Sequence, residues 1–153
     1  MRLEAVETPL VIYENGLYRP EPTRFWILDP ELRKAISALE SEGYIKYWSE
    51  KITHDPKLYE FFVKLHEKEV EKRKKLLKER FPEVFKGTGK WDLVCKRVLL
   101  NPEIGIGGIR NFRAKPFKVR CLHLWTAYHL GDEEFKNPIG EFVLSKVLTS
   151  QKP

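Results

Sequence analysis

The stretch DPELRKAISALESEG, residues 29–43, decides the fold class because it carries a complete helix signature. Asp29 is a typical N-cap residue, and Pro30 fits the first helical position. Leu32, Ala35, Ile36 and Leu39 mark one apolar face, and Gly43 is a stop signal. Similar patterns predict further helices at 44–52, from 56 to about 82, at 91–100, at 119–130 and from 138 onward. The chain is therefore predicted to be mostly helical.

The N-terminal residues show strand patterns instead. Leu10–Tyr13 is a β-prone run next to Asn15-Gly16, a strong hairpin-turn signal. Arg24–Leu28 resembles a second strand. We therefore expect an α+β fold, mostly α, with a small N-terminal antiparallel sheet. Residues 1–153 contain no internal repeat, no low-complexity linker and no sign of a second domain, so a single domain is predicted.

Composition bounds the possible partners and the compartment. The 28 Lys and Arg residues exceed the 22 Asp and Glu residues and give a net charge of +6. That charge suits nucleic acid, a phosphorylated metabolite or an acidic protein, or it only maintains solubility. The many charged residues, with one Gln, are typical of thermophiles. Cys95 and Cys121 are expected as reduced thiols, although a bridge stays open. No targeting or membrane-spanning stretch is found, so a soluble cytoplasmic protein with no membrane partner is expected.

The run GIGGIR, residues 105–110, is the first candidate binding element. Backbone amides of Gly105, Gly107 and Gly108 can form an anion-binding nest, with Arg110 and Arg120 as charge partners. Alternatively, the glycines only let a loop cross tightly over a helix. The run matches neither the dinucleotide-binding fingerprint nor the P-loop. The P-loop-like run 87–90 is rejected because Trp91 stands at the Ser/Thr position.

Cys121, His123 and His129 raise the question of a metal site. If the helix includes Cys121, this residue and His129 share one face, and His123 points elsewhere. Tetrahedral zinc requires four ligands, so Cys95 and His66 would have to complete the set. A buried thiol and hydrogen-bonded core histidines are the favoured interpretation. Neither a metal nor an organic cofactor is predicted.

Cys121, His123 and Glu141 are the candidate catalytic groups. Nucleophilic catalysis requires the thiol and the imidazole to lie within hydrogen-bond reach, which adjacency in sequence does not establish. Glu141 can serve as an acid or base, but it also stands where a carboxylate favours a helix dipole. Of these two roles of Glu141, the interaction with the helix dipole is the favoured interpretation.

A basic cluster offers an alternative function. It comprises Lys72, Arg73, Lys74, Lys75, Lys78 and Arg80. Such charge can contact nucleic-acid phosphates. Interleaved glutamates nevertheless favour a solvated helix face with i,i+4 pairs.

Several motifs in order resemble a known family. They are TPLVI at 8–12, PTRFWI at 22–27, ALESEG at 38–43, the helix around His66, GIGGIR at 105–110, VRCLH at 119–123 and NPIGE at 137–141. Over almost its whole length the chain resembles the bacterial Domain of Unknown Function 501 family. That resemblance implies no established activity.

The resemblance has two further implications. Family members often carry a cysteine where Thr8 stands and histidines where Trp125 and Tyr128 stand, so this chain lacks those potential ligands. Genes of this kind often lie near those for a septum-formation protein and an exopolyphosphatase. This neighbourhood points weakly to phosphate chemistry or to the cell envelope.

The leading hypothesis is a protein that binds a small anionic, phosphate-bearing ligand, with enzymatic turnover as an open question. The predicted ligand-binding residues are Arg24, Gly105, Gly107, Gly108, Arg110 and Arg120. The alternative is a non-enzymatic adaptor that binds nucleic acid or an acidic protein through the basic helix. Nothing in the sequence fixes the oligomeric state.

Overall fold

The computed structural model describes residues 1–82 and 97–150. Cys95, the loop predicted at 87–89 and most of the helix predicted at 91–100 lie outside these ranges. The chain forms two compact units. The first unit comprises Met1–Glu7, Phe25–Phe62 and the described part of Lys115–Pro153, and the second comprises Thr8–Arg24 and the described part of Val63–Ala114. In the described ranges, no helix has both the length and the apolar character needed to cross a bilayer.

Three helices follow the predicted start and stop signals closely. They are α1 (Pro30–Ser41), α2 (Tyr44–His54) and α3 (Pro56–Arg80). Asp29 caps α1, since its Oδ1 accepts the N–H of Leu32 at 3.0 Å. Gly43 separates α1 from α2 with a φ of +92°, a left-handed conformation that glycine adopts at little cost. The signal residues therefore act as predicted.

Two further α-helices are α4 (Leu122–Gly131) and α5 (Pro138–Ser150), and two short 3-10 helices lie at Ile106–Gly108 and Glu133–Phe135. Residues 97–99 are also helical. Helix α4 begins three residues later than the predicted 119. Most of its side chains are buried, as expected of a central helix that packs against α1, α5 and the strands at Val6–Glu7 and Phe25–Trp26. Asn137 caps α5, because its Oδ1 accepts the N–H of Gly140 at 2.9 Å.

The strands form two separate two-stranded antiparallel sheets. In the second unit, β2 (Val11–Glu14) pairs with β3 (Leu17–Pro20) around the predicted Asn15-Gly16 turn, whose residues both have positive φ. In the first unit, β4 (Phe25–Trp26) pairs with β1 (Val6–Glu7), a strand that the sequence pattern did not predict. The predicted α+β, mostly α fold with a small N-terminal antiparallel sheet is confirmed.

The core of the first unit centres on aromatic contacts of α4. Trp125 is fully buried and meets Phe62 edge-on, with ring centroids 5.2 Å apart. Tyr128 lies edge-on to Phe25 at 5.3 Å. These contacts fix α4 in the core, while His123 in its first turn and Leu130 and Gly131 at its end are at least partly exposed.

The second unit buries two arginines. Leu10, Val11, Leu76, Leu77 and Leu99 form its apolar cluster. Arg73 donates to the carbonyls of Leu99, Asn101 and Ile104, at 2.7, 3.1 and 2.8 Å. Arg24 donates to Glu69 through Nε and Nη2, both at 2.8 Å from Oε1. Buried charge is thus matched by acceptors inside the unit.

Candidate functional site

A thiol, an imidazole and a carboxylate meet at the N-terminal end of α4. They belong to Cys121, His123 and Glu40, and one ligand-type atom from each lies within 4.8 Å of the others. Cys121 is the N-cap of α4, His123 lies in its first turn and Glu40 lies near the end of α1. All three side chains are partly exposed. We refer to these three residues as the Cys–His–Glu cluster.

Glu40 joins the cluster to the helix backbone. Its Oε2 accepts the N–H of Leu122 at 2.7 Å and lies 3.2 Å from Nδ1 of His123. The side chain of Cys121 makes no cap hydrogen bond, so Glu40 supplies the carboxylate that the start of α4 favours. The carboxylate therefore has a fixed position between the helix terminus and the imidazole.

His123 has hydrogen-bond acceptors near both ring nitrogens. Its Nε2 lies 3.2 Å from the carbonyl oxygen of Arg33 and 3.4 Å from the hydroxyl of Ser37. A hydrogen bond with the side chain of Cys121 raises the pKa of His123, as do the charge of Glu40 and the Arg33 carbonyl, against the opposing effect of partial burial. The arrangement therefore favours a proton on the imidazole.

A strained turn directly precedes Cys121, the residue that brings the thiol to His123 and Glu40. The N–H of Cys121 donates to the carbonyl of Val119 at 2.8 Å, which makes Arg120 the central residue of a γ-turn with a φ of +67°. Nε1 of Trp125 donates to the same carbonyl at 2.9 Å and anchors the turn to α4. Strain of about 1–2 kcal/mol at a non-glycine residue is a feature often found at functional sites.

The predicted face of Cys121 is wrong. We expected Cys121 within the helix, on the face of His129 and away from His123. Instead Cys121 precedes the helix in an extended conformation, with φ −153° and ψ 158°, and its Sγ lies within 4.8 Å of a ring nitrogen of His123. Sequence reasoning also missed Glu40, which is 83 residues from His123. Its signal was an acidic residue near the end of a helix, which is too common to be informative.

Glu141 and His129 do not belong to the Cys–His–Glu cluster, and the acid or base role of Glu141 stays a prediction. Glu141 is exposed in the first turn of α5, where a carboxylate complements the helix dipole. His129 is buried, and its Nδ1 accepts the N–H of Asn137 at 3.0 Å. Burial lowers the pKa of His129. The structure thus brings together Cys121 and His123 among the predicted catalytic groups, with Glu40 as the carboxylate of the cluster.

The glycine loop of the second unit is held by its own backbone and by His66. The N–H groups of Gly105, Gly108 and Ile109 donate to carbonyls within the loop. That of Ile106 donates to Nδ1 of His66 at 3.0 Å. His66 is fully buried and stacks on Phe112, as expected of a core histidine.

The structure explains why a glycine is needed at each of the three glycine positions of this loop. Gly107 and Gly108 have φ values of +64° and +80°. A Cβ at Gly105 would collide with the ring of His66. The tight-crossing interpretation of the loop therefore accounts for all three glycines, and contact with a ligand stays a prediction.

The three predicted binding arginines differ in exposure. Arg24 is 1% exposed and paired with Glu69, so its guanidinium is directed into the second unit. Arg110, in the second unit, and Arg120, beside Cys121 in the first, are both exposed. Arg120 is thus the predicted binding arginine adjacent to the Cys–His–Glu cluster.

The basic helix has a mixed character. Arg73 is buried and donates to carbonyl groups of its own unit. Lys74, Lys75, Lys78 and Arg80 are exposed on α3. The alternative function of binding nucleic acid or an acidic protein therefore depends on these four residues, and it stays a prediction.

The chain is thus a mostly helical α+β protein with a partly exposed thiol, imidazole and carboxylate cluster. It belongs to the family described as Protein of unknown function (DUF501), whose model matches residues 1–145. The resemblance inferred from the ordered motifs is confirmed. No curated protein and no solved structure matches the chain.

Proposed function

We propose that the Cys–His–Glu cluster is the reactive centre of an enzyme that acts on a small anionic, phosphate-bearing ligand. One observation carries this proposal: Cys121, His123 and Glu40 place a thiol, an imidazole and a carboxylate within 4.8 Å at a partly exposed position. Side chains of these types supply most of the acid, base, nucleophile and ligand groups that enzymes use. This centre lies in the first unit, not at the glycine loop.

The position of the cluster supports a functional role over a purely structural one. A hydrogen-bonded pair of Glu40 and His123 suffices to connect α1 with α4, and a thiol adds little to such a connection. Cys121 nevertheless stands beside this pair, after a strained turn at Arg120. Backbone strain at a polar, accessible cluster is consistent with a site whose geometry serves chemistry.

Arg120 supports an anionic ligand. It directly precedes Cys121 and its side chain is exposed, so its guanidinium can form two parallel hydrogen bonds with a phosphate group. The net charge of +6 favours the approach of anions to the protein. At the glycine loop, by contrast, four of the amides donate to protein acceptors. We therefore assign the anion to Arg120 and the cluster.

A thermal-shift experiment tests this assignment. Inorganic phosphate, pyrophosphate and glycerol 3-phosphate are each titrated against the wild type, Arg120→Ala and the matched control Arg110→Ala. We expect at least one anion to raise the melting temperature of the wild type and of Arg110→Ala, and the shift to be lost in Arg120→Ala. If the anion-induced shift is lost in Arg110→Ala alone, the anion binds at the glycine loop and not at the cluster. No shift in the wild type with any of the three anions would contradict the proposal.

The thiol provides a second readout. Cys121 is partly exposed, so iodoacetamide is expected to alkylate it, and a bound anion is expected to slow that reaction. Mass spectrometry of the digested protein separates Cys121 from Cys95. Equal rates of Cys121 alkylation with and without an anion that shifts the melting temperature would place the anion elsewhere.

A further inference from the structure

We propose that Glu40, Cys121 and His123 bind one divalent transition-metal ion, preferably Zn²⁺, and that this ion presents an open coordination position. The inference deepens the proposed function, since an anionic ligand would occupy that open position. It rests on the proposed function only for the identity of that ligand. The metal site itself follows from the geometry of the cluster.

The distances suit three ligands of one ion. Zinc binds thiolate, imidazole and carboxylate at about 2.0–2.3 Å, so ligand atoms of a tetrahedral site are about 3.3–3.8 Å apart. Oε2 of Glu40 and Nδ1 of His123 are already 3.2 Å apart. All three ligand atoms lie within 4.8 Å of one another. Small side-chain rotations therefore suffice to bring the three ligand atoms to coordination distance from one ion.

The donor types select the metal. A thiolate and an imidazole prefer borderline-soft ions such as Zn²⁺ over Mg²⁺ or Ca²⁺, which prefer sets of oxygen atoms. The thiolate and the carboxylate together carry two negative charges, which a divalent ion neutralises. The cluster thus matches zinc in both donor type and charge.

Groups behind the ligands hold them in orientation. With Nδ1 of His123 on the metal, Nε2–H donates to the Arg33 carbonyl at 3.2 Å, the usual second partner of a metal-bound histidine. The N–H of Leu122 holds the carboxylate of Glu40 at 2.7 Å. The imidazole and the carboxylate are therefore fixed by backbone groups before any metal binds.

Three ligands at a partly exposed position leave room for a fourth. Catalytic zinc sites have three protein ligands and one position for water or substrate, whereas structural sites have four. The ion also resolves an electrostatic conflict in the proposed function. Glu40 already occupies the first N–H of α4, and its negative charge repels an anion unless a cation lies between them.

Cobalt substitution tests the site on the full chain. The metal-depleted protein is titrated with Co²⁺, which gives a thiolate-to-metal charge-transfer absorption in the near ultraviolet and visible bands that report coordination number. We expect saturation at one ion per chain and competition by Zn²⁺. The charge-transfer band is expected to vanish in Cys121→Ser and to persist in the matched control Cys95→Ser.

Variants of the other two ligands complete the test. Glu40→Gln retains an oxygen that accepts the N–H of Leu122 but removes the charge, and we expect the affinity for Zn²⁺ to fall at least about tenfold. The same loss is expected for His123→Asn. Melting temperatures of the metal-free variants show whether each is folded. A band that survives in Cys121→Ser, a band lost in Cys95→Ser, or unchanged zinc affinity in Glu40→Gln would overturn the site.

The outcomes separate this inference from the proposed function. Zinc binding at the three residues without any anion-induced shift supports the metal site and contradicts the anionic ligand. An anion-induced shift that is equal in the metal-depleted and zinc-loaded protein supports the anionic ligand and overturns the role of the metal. A shift that requires zinc supports both.

Discussion

Glu40 Oε2 lies 2.7 Å from the backbone nitrogen of Leu122, so a side chain on α1 accepts the first N–H of α4. The two residues are 82 positions apart in sequence. Most helix caps are local, but here the N-cap residue Cys121 makes no cap hydrogen bond. Glu40 therefore has two separable roles, one in the stability of α4 and one in the Cys–His–Glu cluster.

The first prediction separates these roles by substitution. Glu40→Ala is expected to lower the free energy of unfolding by about 1–2 kcal/mol, because α4 loses the acceptor of its first N–H. In Glu40→Gln the free energy of unfolding is expected to fall by a smaller amount, since the amide oxygen can accept the same hydrogen bond. Urea denaturation of the metal-depleted proteins measures both values. Equal losses in the two variants would mean that charge, and not the cap, determines the stability.

The second prediction concerns pH and His66. Burial, with a contribution from the charge of Arg113, lowers the pKa of His66 to about 3 from 6.5. The unfolded chain therefore binds a proton at a higher pH than the folded chain. The contribution of His66 to stability is complete above pH 6.5 and declines as the pH falls toward 3, by about 1.4 kcal/mol per pH unit below about 6.

His66→Asn isolates this effect, because an amide oxygen can replace Nδ1 as the acceptor for Ile106 but does not titrate. The variant is expected to be less stable at pH 7, where it loses the stacking on Phe112. The difference between the free energies of unfolding of this variant and of the wild type is expected to shrink as the pH falls to 4. Urea midpoints from pH 7 to 4 provide the comparison, and parallel profiles would contradict the pKa of about 3.

The elements that the sequence predicted best are those with local signals. Asp29 and Gly43 bound α1 and α2 through their own backbone and side-chain preferences. The hairpin at Asn15-Gly16 is specified by two adjacent residues with positive φ. β1 was missed because Val6–Glu7 is strand only through pairing with Phe25–Trp26, a contact between distant residues.

The site was predicted less completely for the same reason. Cys121 and His123 were selected from sequence, but their approach depends on a γ-turn at Arg120, and arginine carries no signal for a positive φ. Glu40 enters the cluster by the packing of α1 against α4. A helical pattern alone cannot predict which carboxylate such packing brings to a helix terminus.

The third prediction concerns the buried pair of Arg24 and Glu69. Both side chains are almost fully buried, and Arg24 donates to Oε1 of Glu69 through two nitrogens. Removing Arg24 deprives the buried carboxylate of Glu69 of this ion pair, so Arg24→Met is expected to cost about 3–5 kcal/mol of stability. The double variant Arg24→Met with Glu69→Met is expected to recover a large part of that loss.

Urea denaturation of the two single variants and the double variant gives the coupling energy between these residues. Additive losses would show that the pair contributes no specific interaction. This prediction is independent of any ligand, because it concerns only the buried ion pair of Arg24 with Glu69.

The last prediction tests whether sterics or backbone conformation requires the glycines. Gly105 has an ordinary negative φ, but a Cβ there would collide with the ring of His66. Gly16 has a φ of +77° and open space around it. Gly105→Ala is therefore expected to cost about 1–3 kcal/mol by overpacking, and Gly16→Ala about 1–2 kcal/mol by backbone strain alone.

The combination of Gly105→Ala with His66→Ala distinguishes the two causes, because removal of the ring creates space for the new methyl group. In that background most of the cost of Gly105→Ala is expected to vanish, since only the 3.0 Å contact with the Cβ of residue 66 remains, while the cost of Gly16→Ala is expected to stay the same. An undiminished cost of Gly105→Ala without the ring would mean that the glycine serves something other than contact with His66.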